Sequence, residues 1–191
     1  MSRGLQTLLA VIACVLAAGC GGSHRASAPK GPSTVRIPSG AMEPTYPVGA
    51  RVTVSHSIRT IRRNDVVAFN PPAGSDNDEC GNPLQPANGQ PCARPTPKRS
   101  SAVFVKRVVG LPGDRLKVIR GRTYVDGRAQ PESFIRPDAG CEVCNLPKEI
   151  SVPPGYVFVM GDNRGQSADS RSWGPVRTTW IIGPVVGRAG R

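Results

Sequence analysis

Three stretches of this 191-residue chain hold residue types that could run a hydrolytic reaction. The first is Pro38-Ser39-Gly40-Ala41-Met42-Glu43-Pro44-Thr45. The second is Phe104-Val105-Lys106-Arg107-Val108-Val109-Gly110-Leu111-Pro112-Gly113-Asp114. The third is Gly161-Asp162-Asn163-Arg164, running on to Asp169-Ser170-Arg171-Ser172-Trp173-Gly174. Lys106 is the most informative of these residues. In a strand its side chain shares a face with Phe104 and Val108, while Arg107 points to the other face. Apolar burial penalises the charged form of an amine and lowers its pKa. A lysine neutral near pH 7 can take the proton of a hydroxyl, the step that turns serine into a nucleophile. An exposed lysine on an edge strand is the plainer alternative for the same letters.

The elements that must position these residues read as short strands. Val35 to Pro38 enters the first stretch, Tyr46-Pro47-Val48-Gly49 turns the chain, and Arg51 to Val54 alternates as a strand should. Arg63-Asn64-Asp65 is a turn into Val66 to Phe69, and Val103 to Val109 is the strongest strand signal. Leu116 to Ile119, Arg120-Gly121 and Thr123 to Val125 make a hairpin, with Asp126-Gly127 as a further hairpin turn. Ser133 to Pro147 reads as irregular. Tyr156 to Met160 is a buried strand feeding the third stretch, and Trp180 to Gly183 is the last. The 22 glycines and 20 prolines favour turns and short strands, and no helix signal of any length follows the N-terminal leader. The predicted class is all-β or nearly so. Residues 70–101, rich in proline and Asn- and Gly-containing turns, read as a surface insertion.

A net charge of +12 invites a nucleic-acid reading. No basic run is interleaved with aromatics and no nucleic-acid motif is present, so that partner class is set aside. Attraction to anionic lipid headgroups and a merely solvated basic surface both fit the scattered cations. Residues 1–20 read as an export leader: Arg3 gives a positive start, and the apolar run from Leu5 to Ala18 is short for a bilayer span. Leu16-Ala17-Ala18-Gly19-Cys20 resembles a bacterial lipobox, with Ala17 where Leu or Val is commonest. That makes Cys20 a candidate lipid anchor, beside the alternatives of an uncleaved membrane anchor and a released protein. Residues 21–34 read as a flexible tether and 35–187 as the folded domain. Cys80, Cys92, Cys141 and Cys144 would then lie outside the cytoplasm, where disulfides persist. Three pairings are possible, and Cys80–Cys92 with Cys141–Cys144 is the most local. A zinc site is the rival, with one Cys-x-x-Cys and no accompanying histidine. No metal or cofactor is predicted.

In this order the three stretches resemble bacterial signal peptidase I, the membrane-anchored serine endopeptidase that removes signal peptides from exported proteins. The resemblance covers most of Ile37 to Val176. It implies folded antiparallel β-sheets in a partly closed barrel, with Lys106 as general base. It also implies that Ser167 hydrogen-bonds and orients the Lys106 amine, that Asp162 pairs with Arg107, and that Asp169 pairs with Arg171. Taken without the resemblance, the third stretch also suits a polar turn of Asx and Ser caps. Gly165-Gln166 stands where many members have Asp-Asn.

Signal peptidases carry their nucleophilic serine where this chain has Ala41. The residue matching Ser39 donates its hydroxyl to the oxyanion, beside a backbone N–H of the nucleophile position. Alanine keeps that N–H and brings no oxygen. Three readings stay open: a relative that binds and does not cut, a protease with Ser39 as displaced nucleophile, and an Ala41 that replaces the natural serine. A self-cleaving LexA-type protein shares Ser/Lys chemistry, but the leader and the lack of a DNA-binding segment speak against it. The implied substrates are signal peptides of exported preproteins, bound as an added strand at the extracytoplasmic face of the cytoplasmic membrane. Pro38, Met42, Pro44 and Tyr46 could rim the cleft or simply pack in the core.

Overall fold

The computed structural model of the protein describes residues 31–57, 60–75, 98–138 and 145–190. Eleven strands follow in chain order: β1 (Ser33–Arg36), β2 (Arg51–Val54), β3 (Val66–Phe69), β4 (Phe104–Gly110), β5 (Arg115–Ile119), β6 (Arg122–Val125), β7 (Arg128–Ala129), β8 (Leu146–Ser151), β9 (Tyr156–Met160), β10 (Val176–Arg177) and β11 (Ile181–Arg188). One short helix, α1 (Ser170–Trp173), and single 3-10 turns complete the described residues. The all-β expectation therefore holds.

Two antiparallel sheets carry the strands. A seven-stranded sheet has the order β1-β2-β11-β3-β4-β9-β10 and curls into a half-barrel. A four-stranded sheet has the order β7-β6-β5-β8. The central strands are apolar on both faces because both faces are covered. Val67 and Phe69 of β3 join a core with Val108, Val159, Trp173 and Trp180, and the alternate residues Val66 and Ala68 join another with Ile37, Met42, Val52 and Val105. A third core packs Val109, Phe158 and Met160 against Leu116, Val118 and Leu146 of the smaller sheet. The hairpin turns behave as their letters require: Arg120, Gly121, Asp126 and Gly127 all have positive φ, at 49°, 71°, 49° and 77°.

Several boundaries differ from expectation. The first strand is Ser33–Arg36, not Val35–Pro38, because its register against Arg51–Val54 ends at Arg36. β8 begins at Leu146, inside the stretch read as irregular, and runs to Ser151. Pro147 hid it. Proline gives no N–H to a ladder, but among the described residues β8 is an edge strand bonded to β5 alone, so one missing donor is tolerated. The last strand extends past Gly183 to Arg188 with a register shift between Ile181 and Gly183 that a simple alternation count does not reveal. The leader with Cys20, most of the tether and of the 70–101 insertion, and Cys80, Cys92, Cys141 and Cys144 lie outside the described residues.

Candidate active site

β4 is the strand that positions the site. It lies between β3 and β9, with Lys106 opposite Val67 and Arg107 opposite Met160. Successive side chains leave a strand on opposite faces. Lys106 accordingly stands with Phe104, its Nζ 5.9 Å from that ring, on the side of the core holding Val67 and Val108. Arg107 leaves on the other side and stacks 3.8 Å over the Phe134 ring.

Lys106 is 5% exposed, and burial lowers its pKa from 10.5 to about 8. The charges of Asp169 and Asp162 pull the other way and Arg171 adds to the lowering, so desolvation decides the direction. Its Nζ lies 2.8 Å from Ser167 Oγ. Ser167 itself is held by the loop after β9. Asp169 accepts from the Gly161 N–H at 3.0 Å, caps α1 through the Arg171 N–H at 3.1 Å, and takes both Arg171 Nε and Nη2 at 2.8 Å. Burial raises the Asp169 pKa, and the Arg171 charge and hydrogen bonds overcome that, holding the carboxylate below its usual range. Arg171 also donates to Ser167 O at 3.3 Å. The loop is thus fixed from within by charge.

Asp162 is fully buried and takes a bidentate grip from Arg107, at 2.8 Å from Nε and 2.6 Å from Nη2. Thr45, the last residue of the first stretch, donates its hydroxyl to the same carboxylate. The first stretch bends as a 3-10 turn at Gly40–Met42. Asn163 clasps that turn: its backbone N–H donates to Ala41 O at 3.1 Å and its Nδ2 to Gly40 O, also at 3.1 Å. Between turn and loop the backbones touch at Gly161. A Cβ there would overlap both Ser167 Oγ and Ala41 O, so the approach requires glycine.

The result is a cleft of about 160 Å³. Ser39, Ala41 and Lys106 all line it, with Ile37, Phe104 and Gln166 among its walls. Ala41 is buried and Ser39 is exposed in extended conformation, its side chain making no bond to the turn. The structure brings Lys106, Ser39, Ala41 and Ser167 to one place, with the Arg107–Asp162 and Arg171–Asp169 pairs behind. Of the rim candidates, Pro38 and Met42 line the cleft; Pro44 and Tyr46 are not among its lining residues. Among the described residues no His, Cys, Asp and Glu group could hold a metal ion.

A family model described as signal peptidase, peptidase S26, matches residues 7–189. The chain belongs to this family. The probable thylakoidal processing peptidase 2 of Arabidopsis thaliana is 37% identical over 155 residues, 80% of this chain and 36% of that protein. Signal peptidase I V of Bacillus subtilis is 31% identical over 158 residues, 76% of this chain and 78% of that protein. A crystal structure of a signal peptidase I from Enterococcus faecalis is similar with a TM-score of 0.46 at 22% identity, covering 68% of this chain and all of that one. The chain thus spans little more than a third of the Arabidopsis relative and most of the Bacillus one.

Some residues of this signal peptidase-family site escaped the sequence reading. Asn163 and Arg164 sit inside a motif that was singled out, yet their partners are far away in the chain. Arg164 is fully buried and pairs with Glu132 at 2.6 Å, donating as well to Gly121 O, which ties the site loop to the smaller sheet. Thr45 had only its place at the end of the first stretch to suggest a role, and Gln166 only its place between the quoted parts of the third.

Proposed function

We propose that this domain binds the signal-peptide end of exported preproteins as an extended segment in the cleft beside Lys106, and hydrolyses one peptide bond there. The observation carrying this reading is the buried Lys106 amine, bonded to Ser167 and opening on the same cleft as Ser39 and Ala41 in a signal peptidase-family chain. A base with a pKa of about 8 is mostly protonated at pH 7, with roughly a tenth neutral and able to accept a proton. Lys106 is the general base, and Ser167 is its positioning residue. Ser39 supplies the hydroxyl: its Oγ bonds to the scissile carbonyl carbon as its proton passes to Lys106, and the leaving amine takes that proton. The acyl-serine is then hydrolysed by water. The Ala41 N–H faces the developing oxyanion. Residues 21–34 would tether the domain 35–187 to an anchor within residues 1–20, with Cys20 as the lipid-bearing residue, holding the cleft at the extracytoplasmic face of the membrane.

Ala41 favours a second reading, in which the cleft binds signal peptides without cutting them. A methyl group stands where the family's serine attacks, and proton transfer needs heavy atoms within about 2.6–3.2 Å, which Ser39 reaches only after a local shift. Incubating the full chain with an exported preprotein separates the two. Cleavage that disappears in Ser39→Ala supports hydrolysis through Ser39, whereas binding with no cleavage by the unaltered chain leaves the second reading.

A further inference from the structure

Among the described residues the cleft is lined by three polar side chains, Ser39, Lys106 and Gln166, and the proposed reaction uses only the first two. Gln166 closes the 3-10 turn Arg164–Gln166 after β9, its backbone N–H donating to Asn163 O at 3.0 Å. Its side chain is exposed and lies against the bend that holds Ala41, with Oε1 3.8 Å from where a Cβ on Gly40 would stand. One carbonyl fixes which end of this amide is free. Gly40 O can only accept, so Asn163 must turn its Nδ2 toward it, at 3.1 Å. The other N–H of that Nδ2 calls for a second acceptor, and Gln166 supplies Oε1 at 3.2 Å. The Gln166 Nε2 is left over, with two N–H donors and no hydrogen-bond partner among the described residues.

A peptide bound as an added strand spends its backbone groups on the backbone of the strand beside it, and its side chains are read by what stands around them. Gln166 sits on a loop and not on a strand edge, so its free Nε2 is placed for a substrate side chain. The neighbours of Gln166 indicate which one. Ser167, the next residue, holds at 2.8 Å the Lys106 amine, from which the leaving amine takes its proton. Gln166 and Ala168 flank Ser167 and both line the cleft, so this loop walls the side on which the leaving chain departs. Ile37, Val103 and Val105 give the apolar wall. We propose that Gln166 is a specificity-determining residue, favouring a hydrogen-bond-accepting side chain such as Ser, Thr or Asp on the first residue after the cut. This rests on the reading that the cleft takes exported preproteins, and it adds the part of the substrate that lies beyond the signal peptide. An apolar side chain at that place covers the two N–H groups without giving them an acceptor, which is how a polar site turns one hydrogen bond into discrimination.

The test uses the full chain and two peptides that span the cut, with Ala-x-Ala before it and either Thr or Val after it, a pair that differs by a hydroxyl in place of a methyl group. Their relative affinity is read from competition between pH 6 and 10, or as relative kcat/KM where the chain cuts them. Thr is expected to be preferred about two- to tenfold, the range of one neutral hydrogen bond. An amide does not titrate, so the preference is expected to stay level while Lys106 loses its proton near pH 8. In Gln166→Leu it is expected to vanish or reverse. Equal treatment of Thr and Val by the unaltered chain overturns the subsite and leaves the peptide cleft standing. A preference that follows Lys106 across pH 8, or that survives Gln166→Leu, overturns Gln166 as the donor. No binding of either peptide overturns the subsite together with the cleft reading. Gln166 is exposed, so its replacement leaves the core intact, and the pH series needs no variant.

Discussion

Lys106 Nζ and Ser167 Oγ stand 2.8 Å apart, although 61 residues separate them in the chain. That contact aims the amine. An unbonded lysine at the end of a four-carbon stem would sample several rotamers, and only some of them face the cleft. Ser167→Ala is expected to lower peptide cleavage about tenfold or more by loosening a general base, within the range such catalysis supplies. Ser167→Thr, which keeps the hydroxyl, is expected to restore most of it. A merely structural serine would leave the pH–rate profile unmoved, so the profile is the measurement that checks this role.

Lys106 is a cost to the fold. Its pKa drops from 10.5 to about 8 on burial, so the folded state holds the proton less tightly than the unfolded chain does. The sign follows from linkage: between pH 8 and 10.5 the unfolded state binds more protons, and stability rises with pH through that window. Replacing Lys106 by Met, similar in length and uncharged, is expected to stabilise the protein at pH 7 by about 1–3 kcal/mol. The gain shrinks as pH climbs from 8 toward 10.5. Denaturant unfolding of both proteins at pH 7 and pH 10 checks it.

The Arg107–Asp162 pair joins β4 to the loop after β9 with both partners buried. Removing one member leaves an uncompensated buried charge, which costs about 3–5 kcal/mol. Asp162→Ala is expected to lose that much in urea unfolding. The simultaneous loss of Arg107 and Asp162 is expected to cost less than the sum of the single changes, a coupling that a double-mutant cycle measures.

Asp169 predicts how the loop responds to acid. Burial pushes its pKa up, but Arg171, Lys106 and the Gly161 N–H together bring it below the ordinary carboxylate value. A carboxylate with a depressed folded pKa stabilises fully above the unfolded value and loses that contribution as pH falls through the folded one. The stability gap between the unaltered chain and Asp169→Asn is therefore expected to be constant above about pH 5 and to close below about pH 4. Thermal unfolding followed across that range reads it directly.

The sequence made the strand-borne part of this site legible. Period two places Lys106 with Phe104 and Val108 and sets Arg107 apart from them, and the folded protein has that arrangement. The resemblance pointed to partners for both residues, and Ser167 and Asp162 stand there. Contacts made by geometry alone were not legible. Nothing in the letters links Arg164 to Glu132, or Asn163 Nδ2 to Gly40 O, because those partners meet only when the sheets fold over each other. β8 was hidden for a local reason: Pro147 and the charged Lys148 and Glu149 read as loop, while the edge position tolerates them.

The central claim is that this cleft is a Ser/Lys peptide site built around the Lys106 amine, in which a hydroxyl at position 41 would attack more readily than that of Ser39. Its most direct test is the cleavage rate of an exported preprotein by the Ala41→Ser chain. The account predicts a gain of about 10³-fold or more over the unaltered chain, as expected when a nucleophile joins groups that already act together, and loss of that gain when Lys106→Met is added. A rate unchanged by Ala41→Ser, or a gain that survives Lys106→Met, would contradict it.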